Sequence, residues 1–241
     1  MRVLTPARRR GIEILDDPAT PAAVRARALH DVTRSNALFG GTRAMVAELG
    51  AVFDRWNPRA LGPSASLLDV GTGLADIPDR VSARARARNV RLTTVGLDAA
   101  ESLAGASRAR LTFAVCGSAL ALPFGPQSFD IVTCSQLLHH FEEHEAIMVV
   151  REMHRVARHV AIVGDLRRSW LAAAGFWLAA VPLGFHPVTR HDGVVSILRG
   201  FTGAELLRIV AAAAPDARVA VRRHAGFRLT AAWSPAGAPP P

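Results

Sequence analysis

The residues best placed to do chemistry lie at the ends of two apolar runs. The stretch Leu67-Leu68-Asp69-Val70-Gly71-Thr72-Gly73-Leu74-Ala75-Asp76 closes an apolar run with a glycine-rich turn, and a helical pattern follows from about Ile77. A second apolar run, Leu92-Thr93-Thr94-Val95-Gly96-Leu97, ends in the carboxylate of Asp98. Glycines let backbone approach a ligand closely, and a carboxylate after the next strand can accept hydrogen bonds from both hydroxyls of a ribose. The pair at this spacing predicts a nucleoside-binding α/β site.

Asp69-x-Gly71-x-Gly73, then Asp98, then Gly117-Ser118-Ala119-Leu120-Ala121-Leu122-Pro123-Phe124 and Ser128-Phe129-Asp130-Ile131-Val132 follow one another in order. Over residues 65–165 this series resembles the class I S-adenosylmethionine (SAM)-dependent methyltransferases, in particular those acting on small molecules, including the quinone-biosynthetic type. The resemblance implies SAM as cofactor, with S-adenosylhomocysteine (SAH) as product. It implies cofactor contacts at Asp69, Gly71, Thr72, Gly73, Asp98, Ala99, Ser118, Ala119 and Ser135. Two positions depart from the pattern: Ala75 replaces the third glycine, and Ser118 stands where an acidic residue often meets the adenine amino group. The implied fold is Rossmann-like and doubly wound, a seven-stranded sheet that is mostly parallel with an antiparallel last strand.

His139 and His140 follow a predicted strand at 129–134, and open α/β sheets bind ligands at the carboxyl ends of their strands. An imidazole titrates near neutral pH and can take a phenol's proton as a methyl group arrives. The other reading is that the two histidines only shape the cofactor loop. Asp165, after the fifth strand, is a second candidate for catalysis, as base or substrate anchor, or else a cap for the turn at Arg167-Arg168. The string His140-Phe141-Glu142-Glu143-His144 fits an inverted zinc-protease pattern. Zinc needs both imidazoles on one helix face and a third ligand, so no metal is expected. Glu142 and Glu143 have a simpler use as negative charge at the start of the next helix.

Residues 170–185 are almost wholly apolar, broken by Gly175, Pro182 and Gly184. A membrane span needs about 20 apolar residues, so stable membrane insertion is not expected. The segment reads as a buried cap helix, as an apolar wall for an aromatic, polyketide or prenylated acceptor, or as both, with Trp177 and Phe185 touching the acceptor. His186, His191 and Arg199, with Asp192, cluster beside it, as a mostly apolar pocket with a few orienting groups requires. Surface-loop chemistry is the alternative. Near Asn36 and Gly40-Gly41-Thr42, Arg43 is either an ion-pair partner for the methionine carboxylate or part of a plain helix start.

The elements that must hold these residues in place alternate between strand and helix, which predicts a parallel sheet. Strands are expected at 66–70, 91–97, 111–115, 129–134 and 159–164, with a pair at 218–223 and 227–232. Helices are expected at 77–88, 142–157 and 203–213. Residues 1–62 read as a helical N-terminal cap, with helical spacing at 22–31 and 43–56 and breaks at Asn36 and Gly40-Gly41. Residues 63–233 form the expected SAM-binding domain with 166–200 inserted as a substrate cap, and 234–241, rich in proline, form a tail without regular structure.

Half of the 241 residues are hydrophobic, which excludes general disorder. The formal net charge is +9, and all 29 Lys/Arg positions are arginine. A basic balance attracts nucleic acid or anionic surfaces. Here the arginines are scattered, with one denser stretch from Arg80 to Arg91 that reads as a solvated helix face, so no nucleic-acid partner is expected. Base-methylating enzymes often carry an Asn/Asp-Pro-Pro-aromatic tetrapeptide after the fourth strand; Cys134-Ser135-Gln136-Leu137-Leu138 stands there instead. Cys116 and Cys134 read as buried thiols. No apolar segment follows Arg8-Arg9-Arg10, so no signal peptide is visible and a cytoplasmic enzyme is expected. A homodimer stays open.

The expected activity is methyl transfer to a hydroxyl of a phenolic or polyketide-like acceptor, with carbon methylation of a quinone precursor as the runner-up. A nucleic-acid methyltransferase, a non-catalytic SAM-binding protein and a dinucleotide oxidoreductase are weaker alternatives.

Overall fold

The computed structural model describes residues 4–9, 11–17 and 19–235. Most of the tail expected from residue 234 onward therefore lies outside the described residues. In chain order the elements are α1 (Ala22–Leu38), α2 (Gly41–Arg55), α3 (Pro58–Leu61), β1 (Ser64–Val70), α4 (Asp76–Arg86), β2 (Arg91–Asp98), α5 (Glu101–Ser107), β3 (Phe113–Cys116) and β4 (Phe129–Ser135). Then follow α6 (Glu143–Val156), β5 (Ala157–Leu166), α7 (Trp170–Ala180), α8 (Pro187–Arg199), α9 (Gly203–Ala213), β6 (Val219–His224) and β7 (Arg228–Trp233).

The strands form one sheet in the order β3-β2-β1-β4-β5-β7-β6, parallel except for β7, which runs antiparallel between β5 and β6. This is the expected seven-stranded architecture. The central strands β1, β4 and β5 are nearly continuous buried apolar runs, the composition needed when helices cover both faces. One face packs against α6 and α9 through residues such as Met153, Leu206 and Val210. The other packs against α2 and α4 through Met45, Leu49, Phe53 and Val81.

Local chemistry fixes several ends. Glu142 and Glu145 form a reciprocal capping box at the start of α6, and Thr202 and Glu205 form another at α9. The arginine-rich face of α4 is solvated, and Arg84 and Arg88 both pair with Asp54.

Four local expectations change. α1 runs through Asn36 to Leu38, and the chain turns at Gly40 instead; Asn costs a helix only a few tenths of a kcal/mol, about 0.5, against alanine. Ahead of Ala22 the described residues are not a helix apart from a 3-10 turn at Ile14–Asp16. They run as a strap across the carboxyl ends of the strands: the Arg9 amide donates to the Leu198 carbonyl, and those of Ile14 and Leu15 to the buried Asp192 carboxylate. Cys116, placed on edge strand β3, is exposed rather than buried; Cys134 is buried, and both thiols are free. The insertion after β5 is a pair of helices, α7 and α8, closed around Phe176, Phe185, Ile197 and Leu198. Among the described residues no helix is long and apolar enough to cross a membrane.

Candidate active site

β1 delivers the glycine turn to the carboxyl edge of the sheet. Gly71 and Gly73 have φ of 70° and 53°, a backbone region that favours glycine. A Cβ on Gly71 would press into Leu137, while one on Gly73 would meet nothing within 4 Å, so the turn packs behind and opens in front. Asp69 is buried, and its two oxygens accept from Thr72 Oγ1 at 3.0 Å and Thr133 Oγ1 at 2.6 Å. Burial raises its pKa to about 7 against the pull of those hydroxyls. It holds the turn from behind.

At the end of β2, Asp98 accepts from the Gly73 amide and from the Ala100 amide, each at 3.0 Å. An ionised carboxylate has lone pairs for about four hydrogen bonds, which leaves capacity for a ribose. Ser118 is exposed and its hydroxyl accepts from the Leu120 amide; Ala119 beside it is buried. Ala99 is exposed, and its carbonyl faces the Cys116 thiol at 3.5 Å. Ser135, at the end of β4, is half-buried, and its buried hydroxyl lacks a partner among the described residues. Thr42 donates to Asp76 at 3.1 Å, tying α2 to the start of α4, and Arg43 in the next position is exposed.

The loop after β4 carries the second half of the site. His139 is buried, and Asp165 holds it twice: the His139 amide donates to one oxygen at 3.0 Å, and ring Nδ1 lies 2.7 Å from the other. Despite burial, the field and hydrogen bonds of His139 hold the Asp165 carboxyl below the ordinary carboxylate range. The His139 and His140 rings stack at 4.4 Å, tilted by 35°. A 3-10 turn at Leu138–His140 brings both rings to one cavity.

That cavity, about 110 Å³, is lined on one side by Glu13 and Leu15 of the strap. Glu13 enters it from the strap, buried, 3.8 Å from Nε2 of each histidine. Glu13 is itself held by Ser196 at 2.8 Å and Arg199 at 3.1 Å. Burial disfavours the charged form of His140, but its hydrogen bond to Asp16 and the fields of Glu13 and Asp16 prevail and raise its pKa.

Residues 68–163 match the family model of a methyltransferase domain. Those residues form a methyltransferase domain. Solved structures share the fold. The plantazolicin methyltransferase BpumL, in complex with SAH, is 8% identical with a TM-score of 0.66, covering 92% of each chain. An O-methyltransferase family protein from Burkholderia thailandensis is 17% identical with a TM-score of 0.58, covering 89% of this chain and 60% of that one. A SAM-dependent methyltransferase from Thermotoga maritima is 16% identical with a TM-score of 0.55, covering 88% and 98%. No curated protein sequence matches the chain.

The residues present fit SAM: an open glycine turn, a carboxylate with spare acceptor capacity, and the Ser135 hydroxyl, which has no partner among the described residues, share one edge of the sheet. The zinc-protease string does not assemble, because His144 is exposed on α6. Glu13, His139 and His140 do bring three candidate ligand atoms within 4.8 Å of one another. Arg199 already rests on Glu13, and a guanidinium there opposes a second cation.

The cap residues divide. Arg199 also donates to the His140 carbonyl at 3.1 Å, so it braces the histidine loop. His186 caps α8 through the Val188 amide, and its own amide donates to the buried Asp31 of α1. His191 is exposed and pairs with Asp192. Trp177 is 62% exposed on the outer face of α7. Phe185 is buried and reaches the cavity only through Phe176, with ring centroids 6.1 Å apart. Phe176, Glu13, Thr189 and Arg228 line the site and were not singled out from sequence.

Proposed function

We propose that the chain transfers the methyl group of SAM to a hydroxyl oxygen of a small phenolic acceptor, with His139 as general base and Asp165 as its positioning partner. The observation that carries the reading is the Asp165–His139 pair beside the cavity. An ionised Asp165 favours the proton on Nδ1, which leaves the Nε2 lone pair free. When bound, SAM supplies an electrophilic methyl on a sulfonium. As the carbon–oxygen bond forms, the acceptor's proton passes to Nε2, and the resulting imidazolium is stabilised by Asp165 on one side and Glu13 on the other. Thr189, buried on the cavity wall with a hydroxyl that has no partner among the described residues, offers the acceptor a further polar contact.

Cofactor binding in this reading falls to Gly71, Thr72, Gly73, Asp98 and Ser135, with Asp69 holding the turn. The test is a panel of phenols, amines and activated carbon acceptors incubated with labelled SAM. Oxygen-methylated products from phenols support the reading. Label found only on carbon or nitrogen contradicts it.

A further inference from the structure

A second chamber, about 250 Å³, adjoins the first. Its walls are Phe39, Leu171, Ala172, Gly175 and Phe227, and it shares Leu166, Phe176, Ile197 and Arg228 with the cavity that holds the histidines. The two differ in chemistry. The first carries Glu13, His139, His140 and Asp192; Arg228 is the one charged residue of the second, and it lies on the shared wall. Arg228 is buried and spoken for, donating from Nε to the Phe39 carbonyl at 3.1 Å and from a terminal nitrogen to Gln136 at 3.3 Å. The mouth lies along α7, where Leu171 is exposed and a Cβ on Gly175 would meet nothing within 4 Å. Leu178, 65% exposed, lies on the same face two turns beyond Leu171, so apolar surface continues past the mouth.

We propose that this second chamber binds an apolar chain carried by the acceptor, so that the substrate is amphipathic: a polar reacting ring beside His139 and an alkyl or prenyl tail leading out along α7. The proposal rests on the reading that the reacting oxygen occupies the histidine cavity. A cavity of about 110 Å³ next to an apolar one more than twice its size divides a ligand into these two parts. A chain in such a chamber gains affinity with each methylene removed from water, whereas a head group alone gains nothing from the chamber.

The test uses 4-alkylphenols, from ethyl to nonyl, titrated by calorimetry into the SAH-loaded protein. Affinity should rise roughly fourfold per methylene before levelling off as the chamber fills. Gly175→Phe, which projects a ring into the mouth from a position with free space, should flatten that rise while SAH affinity and melting temperature are retained. A wild-type series that is flat or shows no binding overturns the proposal, as does an unchanged rise in Gly175→Phe. Methyl transfer to the same phenols is followed in parallel. A chain-length rise without methylated phenol supports the chamber and contradicts the oxygen-acceptor reading. Methylated phenols with a flat series do the reverse.

Discussion

The Asp165 carboxylate holds both the main-chain amide and the ring of His139, at 3.0 Å and 2.7 Å, across the adjacent ends of β4 and β5. One carboxylate thus sets the position of the loop and the orientation of the ring on it. Such double attachment fixes the ring to within the narrow geometry that proton transfer needs.

Asp98→Ala should weaken SAM binding at least tenfold. In the proposed cofactor site the variant would lose two ribose hydrogen bonds of about 1.5–3 kcal/mol each, together with the brace on the Gly73 amide. Calorimetry reads this directly, and wild-type affinity would remove Asp98 from the cofactor site.

The strap should respond to pH through His140 and Asp16. The folded pKa of His140 is raised above its ordinary 6.5, so its contribution is complete below 6.5 and is lost as pH rises through the raised value. The pKa of Asp16 is lowered from 3.8 by His140 and Arg199 in spite of burial, so its contribution is present above 3.8 and lost as pH falls through the lowered value. Both operate between about pH 4 and 6.5. Melting temperatures of His140→Gln should therefore fall less than those of wild type on going from pH 6.5 to 8.5. Parallel curves for the two proteins would show that His140 does not contribute.

Turnover should persist after exhaustive chelation. Glu13, His139 and His140 are close enough to attract a cation, but Arg199 occupies the carboxylate. Loss of activity with chelator, restored by zinc or magnesium, would show that a metal displaces that arginine.

Gly226→Ala should destabilise the protein by about 1–2 kcal/mol from the left-handed backbone alone, with steric overlap added. Gly226 has φ of 73°, and a Cβ there would collide with the Phe39 carbonyl at the end of α1. Urea denaturation measures the loss; a change within 0.5 kcal/mol, about the size of an ordinary surface substitution, would contradict it.

The candidate cofactor half of the site is legible in the sequence because it is local: Asp69, Gly71 and Gly73 share one turn, and Asp98 ends the next strand. His139, His140 and Asp165 were legible for a related reason, since each follows the end of a strand. The acceptor half is assembled from distant segments. Glu13 meets Ser196 and Arg199 across more than 180 residues of chain, and no local pattern marks it. On α7 every residue from Trp170 to Ala180 is apolar or glycine, so helical periodicity has no polar face from which to read the phase. Trp177 was expected at the acceptor for that reason, while the structure turns its neighbour Phe176 inward and leaves Trp177 outside.

The most direct measurement compares kcat and SAM affinity in His139→Ala and Asp165→Asn, using the phenol that wild-type enzyme methylates fastest. Loss of a positioned base costs about 10²-fold or more in turnover, so kcat should fall by that amount in His139→Ala and by a smaller but clear factor in Asp165→Asn, with SAM affinity within about twofold of wild type. Near-normal kcat in both variants would contradict the account and leave alignment alone to drive the transfer.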